Sequence, residues 1–578
     1  MKKHLKAALC LMVVLAMGAG LLAGCQTAAP TGAQSAAPTA APADASAQPS
    51  AGPEADGPLS PMKDLVELSC VVGYNAPEDA TTPSGTTPET QMFNKILEQK
   101  LNIRLNYLWT VPADQYDQKF KLAISSGDIP DVMKISAKDF VDFAEAGSLA
   151  DMREAYDKYC IQDLKSVYEY FKNAPLDQCT VDGKLLSIPY CWDTTQQVNL
   201  LYIRQDWLDK LKLQAPKTID DVLAIAVAFA TQDPDGNGQA DTTGLGLYKD
   251  VYAWSLDARG LFHGYGAYPN AWIKKDDKLV PGTIQPEVKQ ALIKLREFYE
   301  KGGINKEFAV KTTDQLVEDT VASKVGMFYG EWWVPNWPLN NNLQKDPKAD
   351  WRAFNIVSPD GSPAVTIIDR NNIANYNVVS AKASKDAAAA AMKVINLQWD
   401  ISFNKEAAAI YGEDIKPASG YVYNWVPIYS YLANEQMINF QLVNEALEKN
   451  DSSALYTKTQ TELFQYSNDW KGKGVNDENG WKAWGMWYSR VAKDGGWGLT
   501  VKAKEAGSFL YNEYYGNPTP TELEKGATLS DMTKEYFNKF IMGSVEEGSW
   551  DKFVSDWKAL GGDTWTQEVN EQYAAMAK

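Results

Sequence analysis

Between residues 65 and 135 the apolar positions change spacing four times. Residues 65–72 (LVELSCVV) form a nearly continuous apolar run, the pattern of a buried strand, and Gly73-Tyr74-Asn75 set a loop at its C-terminal end. Residues 90–100 place Phe93, Ile96 and Leu97 on one helical face, and residues 103–108 (IRLNYL) alternate as a second strand. Helical spacing returns over 115–125, and Gly127-Asp128-Ile129-Pro130 break it before a third strand at 131–135. Strand, helix, strand, helix, strand predicts an α/β fold with parallel pairing. In such sheets ligands collect at the loops leaving the C-terminal ends of the strands.

Two later stretches show the same logic. Ser384 is placed to cap a helix from 385 to about 400, with Ala388, Met392, Ile395 and Trp399 at helical spacing. Trp550, Phe553, Val554, Trp557 and Leu560 form one apolar stripe, which Gly561-Gly562 should end. Asp563 or Thr564 then starts a helix that turns Val569 and Tyr573 inward. Both stripes read as core.

The N-terminus has a different design. Lys2, Lys3, His4 and Lys6 precede an apolar run over 7–22, too short for the roughly 20 residues of a membrane-spanning helix. Small residues then lead to Cys25, so residues 1–24 are expected to be a secretory signal. Leu22-Ala23-Gly24-Cys25 resembles the lipobox of bacterial lipoproteins, which implies a lipid-bearing (palmitate) Cys25 as the first mature residue. Residues 26–60, rich in Ala, Pro and Ser, contain no aromatic residue and almost no large aliphatic one. Residues 25–60 are therefore expected to form a disordered tether, with a span on the order of 30 Å.

Composition narrows the function. Residues 61–578 exceed the size of one hydrophobic core, so at least two lobes are expected. The formal charge is −18, and removal of Lys2, Lys3 and Lys6 leaves 53 basic against 74 acidic side chains, or −21. Such a chain is a poor binder of nucleic acid. Cys70, Cys160, Cys179 and Cys191 show no CxxC spacing, so they permit either two disulfides or four free buried thiols. Only His263 survives in the mature chain, which excludes a His-rich metal site and leaves one candidate for any Ser-His-Asp triad. Its aromatic surroundings favour a structural role. Composition does not exclude a glycosidase-type carboxylate pair, and no pair is singled out.

Several segments resemble, in order, signatures of the bacterial extracellular solute-binding protein family 1. They are residues 123–132 (AISSGDIPDV), 147–151 (GSLAD), 182–189 (DGKLLSIP), 201–210 (LYIRQDWLDK) with 216–218 (PKT), 324–333 (KVGMFYGEWW) and 550–573. The resemblance spans nearly the whole body and is nearest to the long, LipO-like subgroup of sugar-importer lipoproteins. It implies a type II periplasmic-binding-protein fold, in which two α/β lobes close on ligand at a hinge. The expected divisions are 61–194 for the first part of the N-lobe and 195–368 for the first part of the C-lobe. Residues 369–430 are expected to return to the N-lobe and 431–578 to form mainly C-lobe helices, with crossings near 190–198 and 365–375.

Asp233-Pro234-Asp235-Gly236-Asn237-Gly238-Gln239-Ala240-Asp241 is the strongest local motif. Oxygen side chains fall at positions 1, 3, 5 and 9, with Gly238 at position 6, as in an EF-hand loop. Alternate spacing aims every second side chain of a curled loop at one centre, and oxygen donors suit a hard cation. Position 12 is Gly244, so the usual bidentate Glu is missing. A plain Asp/Gly turn is the competing reading. The loop is similar to that of calcium-containing alginate-binding relatives, whose tenth-position acid is here Thr242. The resemblance thus implies structural calcium on Asp233, Asp235, Asn237, the carbonyl of Gln239 and Asp241, within a loop at 233–244.

Of the 19 Trp and 29 Tyr, the densest group is residues 329–337 (YGEWWVPNW). Flat aromatics stack on the apolar faces of sugar rings, and polar neighbours bind the hydroxyl rim. Tyr329, Trp332 and Trp333 are the first ligand candidates. Trp192 and Asp193, and Asp369 and Arg370, stand at the expected crossings. Where maltose-type relatives place a stacking Trp this chain has Ile135, followed by Lys138 and Asp139, so a maltose-like ligand set is not expected.

The expectation is a monomeric, non-enzymatic lipoprotein, held outside the cell on the membrane and capturing a carbohydrate for an ABC importer. No P-loop or spanning helix appears, so the importer's ATPase and membrane subunits are expected to be other polypeptides. The alternatives are a receptor for a peptide or other non-sugar solute, and a surface-anchored polysaccharide-degrading enzyme with paired acids in a groove.

Overall fold

The strand and helix alternation after residue 65 builds a sheet that a distant part of the chain completes. The computed structural model describes residues 56–74, 85–370, 373–404, 406–411, 425–476 and 479–576; Cys25 and most of the expected tether lie outside them. Strand Val66–Tyr74 pairs in parallel with Ile103–Pro112 on one side and with Val132–Ile135 on the other. Ile373–Val379 then enters antiparallel beside Val132–Ile135, and Ile188–Cys191 closes the edge. The core of this lobe draws on residues 66–191 together with 376–433. Helix Ala387–Phe403 is buried on most of its surface, as its mean apolar character requires.

A second sheet runs Trp351–Asn355, Asn199–Arg204, Val325–Glu331, Thr243–Leu245. Strands Asn199–Arg204 and Val325–Glu331 are buried at every position, because helices cover one face and the 332–353 segment the other. The molecule is a two-lobe α/β protein, as expected. Helices Pro520–Ile541 and Trp550–Trp557 pack with helix Pro286–Glu300 in the second lobe. Among the described residues, no helix is long and apolar enough to cross a membrane.

The chain passes between sheets after Cys191 and again before Ile373, and a third segment joins them. Thr366–Asp369 pairs in parallel with Phe509–Asn512. The Asp369 carboxylate accepts from Gln197 Nε2 at 2.7 Å and from Asn512 Nδ2 at 2.9 Å, so one side chain ties all three segments. Arg370 bonds Glu513 and lies 5.2 Å from the Tyr511 ring.

Three expectations are corrected in detail, and one left open is decided. The expected tether ends before residue 60: Asp56 bonds Lys158, while the buried Lys393 ammonium captures the Gly57 and Ser60 carbonyls, because a cation without solvent needs oxygen partners. Ser384 does not cap its helix through its hydroxyl; Asp386 holds the N-cap position and Ser384 offers its carbonyl to Ala387 N–H at 3.0 Å. Leu560 leaves the apolar stripe and is 36% exposed, because the α-helix ends at Trp557 and a wider turn over Lys558–Gly562 rotates it outward. Gly561 sits there at φ 145°, a backbone open to glycine. The four body cysteines are all free and buried.

Candidate functional site

Strand Val325–Glu331 ends at the densest aromatic group, and the chain beyond it turns consecutive side chains to opposite faces. Tyr329 is fully buried in the second core, its ring lying where a side chain on Gly260 would have to go, 2.1 Å from an ideal Cβ. Trp332 also turns inward: it is 5% exposed, meets Trp497 edge-on at 5.4 Å and lies 4.9 Å from the Arg490 guanidinium. Trp333 turns outward and stacks on Trp254 at 5.3 Å and 16°, with Trp337 behind it at 6.0 Å and 28°. Trp254 is half exposed. Trp254, Trp333 and Trp337 thus form a row of near-parallel indoles.

A polar cluster borders this row. The turn before helix Arg259–Gly264 carries Trp254 and Asp257, and Asp257 shapes it by accepting from Ala253 N–H at 2.8 Å and Arg259 N–H at 2.9 Å. Arg259 binds the buried Asp257 carboxylate at 3.1 Å and also donates to Glu331, the last residue of the strand. Burial pushes the Glu331 carboxyl up to about 7, although Arg259 beside it acts in the opposite direction. An apolar row with charged, hydrogen-bonding groups at its edge can stack a ring and bind its hydroxyls. Trp254, Asp257 and Arg259 were not selected from the sequence, because they lie 74–79 residues before Trp333 and no local pattern pairs the two segments.

The first lobe has an aromatic group of its own. Tyr190 lies 5.8 Å from Trp192, 5.1 Å from Tyr429 and 5.9 Å from Tyr431, and Lys134 sits over Tyr429 at 4.6 Å. Tyr431 donates to Glu435, a buried acid whose charge also acts on Arg490, the cation over the Trp332 ring. Asp193 is buried and caps the turn Thr194–Gln197 by accepting from Thr195 N–H at 2.9 Å; burial raises its carboxyl above the ordinary range. Asp369 and Arg370 are engaged by the crossing segments, Asp369 by Gln197 and Asn512 and Arg370 by Glu513. His263 is buried with Tyr252 Oη 3.2 Å from Nε2, and burial lowers its ring to about 3, so it stays neutral.

The 233–244 loop curls as its spacing demands. Asp233 accepts from Gly236, Asn237 and Gly238 N–H at 3.0–3.1 Å, and Asn237 Nδ2 bridges Asp235 at 2.7 Å and Asp241 at 3.1 Å. Burial and then the neighbouring Asp233 raise the Asp235 carboxyl. Lys210 and Lys324 approach from outside, onto the Asp233 carbonyl and the Asp241 carboxylate. Thr242 faces away, donating to the Phe229 carbonyl at 2.7 Å, and Gly244 is pressed so close to Ala226 that an ideal Cβ would lie 1.9 Å from its carbonyl. Positions 10 and 12 therefore supply no ligand. These hydrogen bonds draw Asp233, Asp235, Asn237 and Asp241 together, an all-oxygen set of the kind a hard cation takes. Among the described residues no group of three or more His, Cys, Asp or Glu side chains already has a metal-holding arrangement.

Comparison with known proteins agrees with the fold. The profile of the bacterial extracellular solute-binding proteins matches residues 80–397, more than half of the chain. Lipoprotein LipO of Bacillus subtilis is 23% identical over 529 residues, covering 90% of this chain and 94% of LipO. The polygalacturonan/rhamnogalacturonan-binding protein YtcQ of the same organism is 23% identical over 83% of this chain and 87% of its own length. Among solved structures, an EF-hand mutant of the S. pneumoniae ABC-transporter substrate-binding protein FusA with fructo-nystose superposes with a TM-score of 0.58 at 17% identity, covering 88% of this chain and 99% of that one.

Proposed function

This chain belongs to the bacterial extracellular solute-binding protein family, and from that premise we propose that it is the lipid-anchored receptor of an ABC importer for an oligosaccharide. The observation that carries this reading is the Trp254–Trp333–Trp337 row beside Asp257, Arg259 and Glu331. The half-exposed Trp254 at the open end of the row offers an indole surface to a sugar ring, Trp333 and Trp337 back it, and the Arg259–Glu331 pair beside it supplies polar partners for hydroxyls. The names of YtcQ and of FusA, the latter in complex with fructo-nystose, support a carbohydrate as cargo, and that of LipO supports a lipoprotein.

In this reading residues 61–194 and 369–430 make the first lobe, and residues 195–368 with most of 431–578 make the second. Ligand closes one on the other about the Gln197–Asp369–Asn512 tie. The aromatic group around Tyr190 and Trp192 supplies the opposing wall. Cys25 holds the protein on the outer membrane face, and the closed form is handed to separate importer subunits. Calcium on Asp233, Asp235, Asn237, Gln239 and Asp241 would neutralise three crowded carboxylates and stiffen the end of helix Ile219–Thr231. The protein works by binding alone.

A glycan array followed by titration calorimetry on the mature protein tests this reading. Saturable binding of an oligosaccharide without turnover is expected. Binding confined to peptides, or release of reducing ends from the bound glycan, would overturn it.

A further inference from the structure

A cleft open to one side lies on elements that share no residue with the indole row. It has a volume of about 500 Å³, between the hairpin Trp272–Pro281, the third connecting segment at 512–518, and the C-terminal helices. This falls within the range of about 300–1,000 Å³ typical of small-molecule sites. Trp272, Trp557 and Trp565 line it; Trp272 meets Trp565 edge-on at 5.4 Å, and Trp557 lies near-parallel to Trp565 at 6.3 Å. Between these walls stand polar groups, Ser530, Asn512 and the carboxyl of Glu522 beside the Trp565 indole.

The charge of the lining limits what enters. It contains one acid and neither Lys nor Arg. Burial raises the Glu522 carboxyl above the ordinary range, which favours its neutral form. An anion finds no counter-charge there, whereas an uncharged molecule with an apolar face and hydroxyl rim finds the partly buried Trp565 indole, backed by Trp272 and Trp557, for the first and hydroxyl, amide and carboxyl partners for the second. Asn512 also fixes the place of the cavity in the fold: its Oδ1 accepts from Trp272 N–H at 2.9 Å while its Nδ2 donates to Asp369.

We propose that this cavity is a second binding site, distinct from the indole row, for an uncharged, hydroxyl-rich molecule of monosaccharide size. The site is independent of what the row binds. Gly526 lines the cavity within helix Pro520–Ile541, and a Cβ there meets only Glu522 Cγ, at an ordinary 3.5 Å. Gly526→Phe therefore fills the space while removing a helix-weakening glycine.

The test uses the mature protein carrying Trp333→Ala, with methyl β-D-glucopyranoside and methyl β-D-glucuronide as probes in saturation-transfer NMR and calorimetry. The neutral glycoside should bind this background at one site, the glucuronide should not, and adding Gly526→Phe should abolish binding while the melting temperature holds. Should Gly526→Phe lower melting, Ser530→Phe fills the same space from the next turn. Absence of glucopyranoside binding in the Trp333→Ala protein, its persistence in both filled variants, or equal binding of the glucuronide would overturn the proposal. Oligosaccharide binding at the row is read separately in Gly526→Phe alone, so failure of one site is not failure of the other.

Discussion

Gln197 and Asp369, 172 residues apart, hold each other by two reciprocal hydrogen bonds: Gln197 Nε2 donates to the Asp369 carboxylate at 2.7 Å, and Asp369 N–H donates to Gln197 Oε1 at 2.8 Å. With Asn512 on the other carboxylate oxygen, both acceptors of Asp369 face amide donors. Asp369→Asn would turn an NH2 group against one of those donors. It should cost on the order of 1 kcal/mol of stability, the penalty of one unmet, partly buried donor. Denaturant unfolding checks the cost, and small-angle scattering with and without ligand should show a changed balance of open and closed forms.

Trp332 and Trp333 are adjacent and should behave oppositely. Trp333→Ala should keep its melting temperature within a few degrees and lose ligand affinity by more than about tenfold, as for a ring at a hot spot. Trp332→Ala removes a ring packed between Trp497 and Arg490 and should destabilise by about 3–5 kcal/mol. Calorimetry beside thermal melts separates the two; equal loss of affinity in proportion to unfolding in both variants would remove the row as the site.

Glu331 should make stability depend on pH in a defined direction. Its folded value of about 7 lies above the ordinary 4.5, so between these values the folded state holds a proton that the unfolded state has released. Its contribution is fully present below about pH 4.5 and is lost as pH rises towards 7. Glu331→Gln removes this term. The difference in melting temperature between variant and wild type should therefore shift in favour of the variant from pH 4.5 to 7.5, and a pH-independent difference would disprove the assignment.

Calcium should raise the melting temperature of the wild type and not that of an Asp233→Ala/Asp235→Ala variant. At about 100 times the dissociation constant, binding to the folded state contributes about 2.7 kcal/mol. Differential scanning calorimetry after chelation and calcium addition measures this, with elemental analysis as a check on the metal.

Cys25→Ala should shift the protein from the membrane fraction to the medium, or leave it unprocessed. Metabolic labelling with a fatty acid reads this directly: label retained on the variant would refute lipidation at Cys25.

The local pattern determined much of this molecule. Apolar runs and helical spacing in residues 65–135 were enough to place three strands and two helices, because burying one face of an element leaves a period in the sequence. The spacing of Asp233, Asp235, Asn237 and Asp241 likewise foretold a curled loop, since backbone donors of the turn fall on Asp233 whatever the rest of the chain does. Tertiary structure decided what no period records. Trp332 and Trp333 are the same residue type one position apart, and only packing against Trp497 and Trp254 assigns them to core and surface. Asp369 gained its tie to Gln197 and Asn512 only when segments before and after it in the chain were brought together, and Trp254 was silent until folding laid it on Trp333. Contacts between residues far apart in sequence are made by the fold as a whole, so their partners are written nowhere near them in the chain.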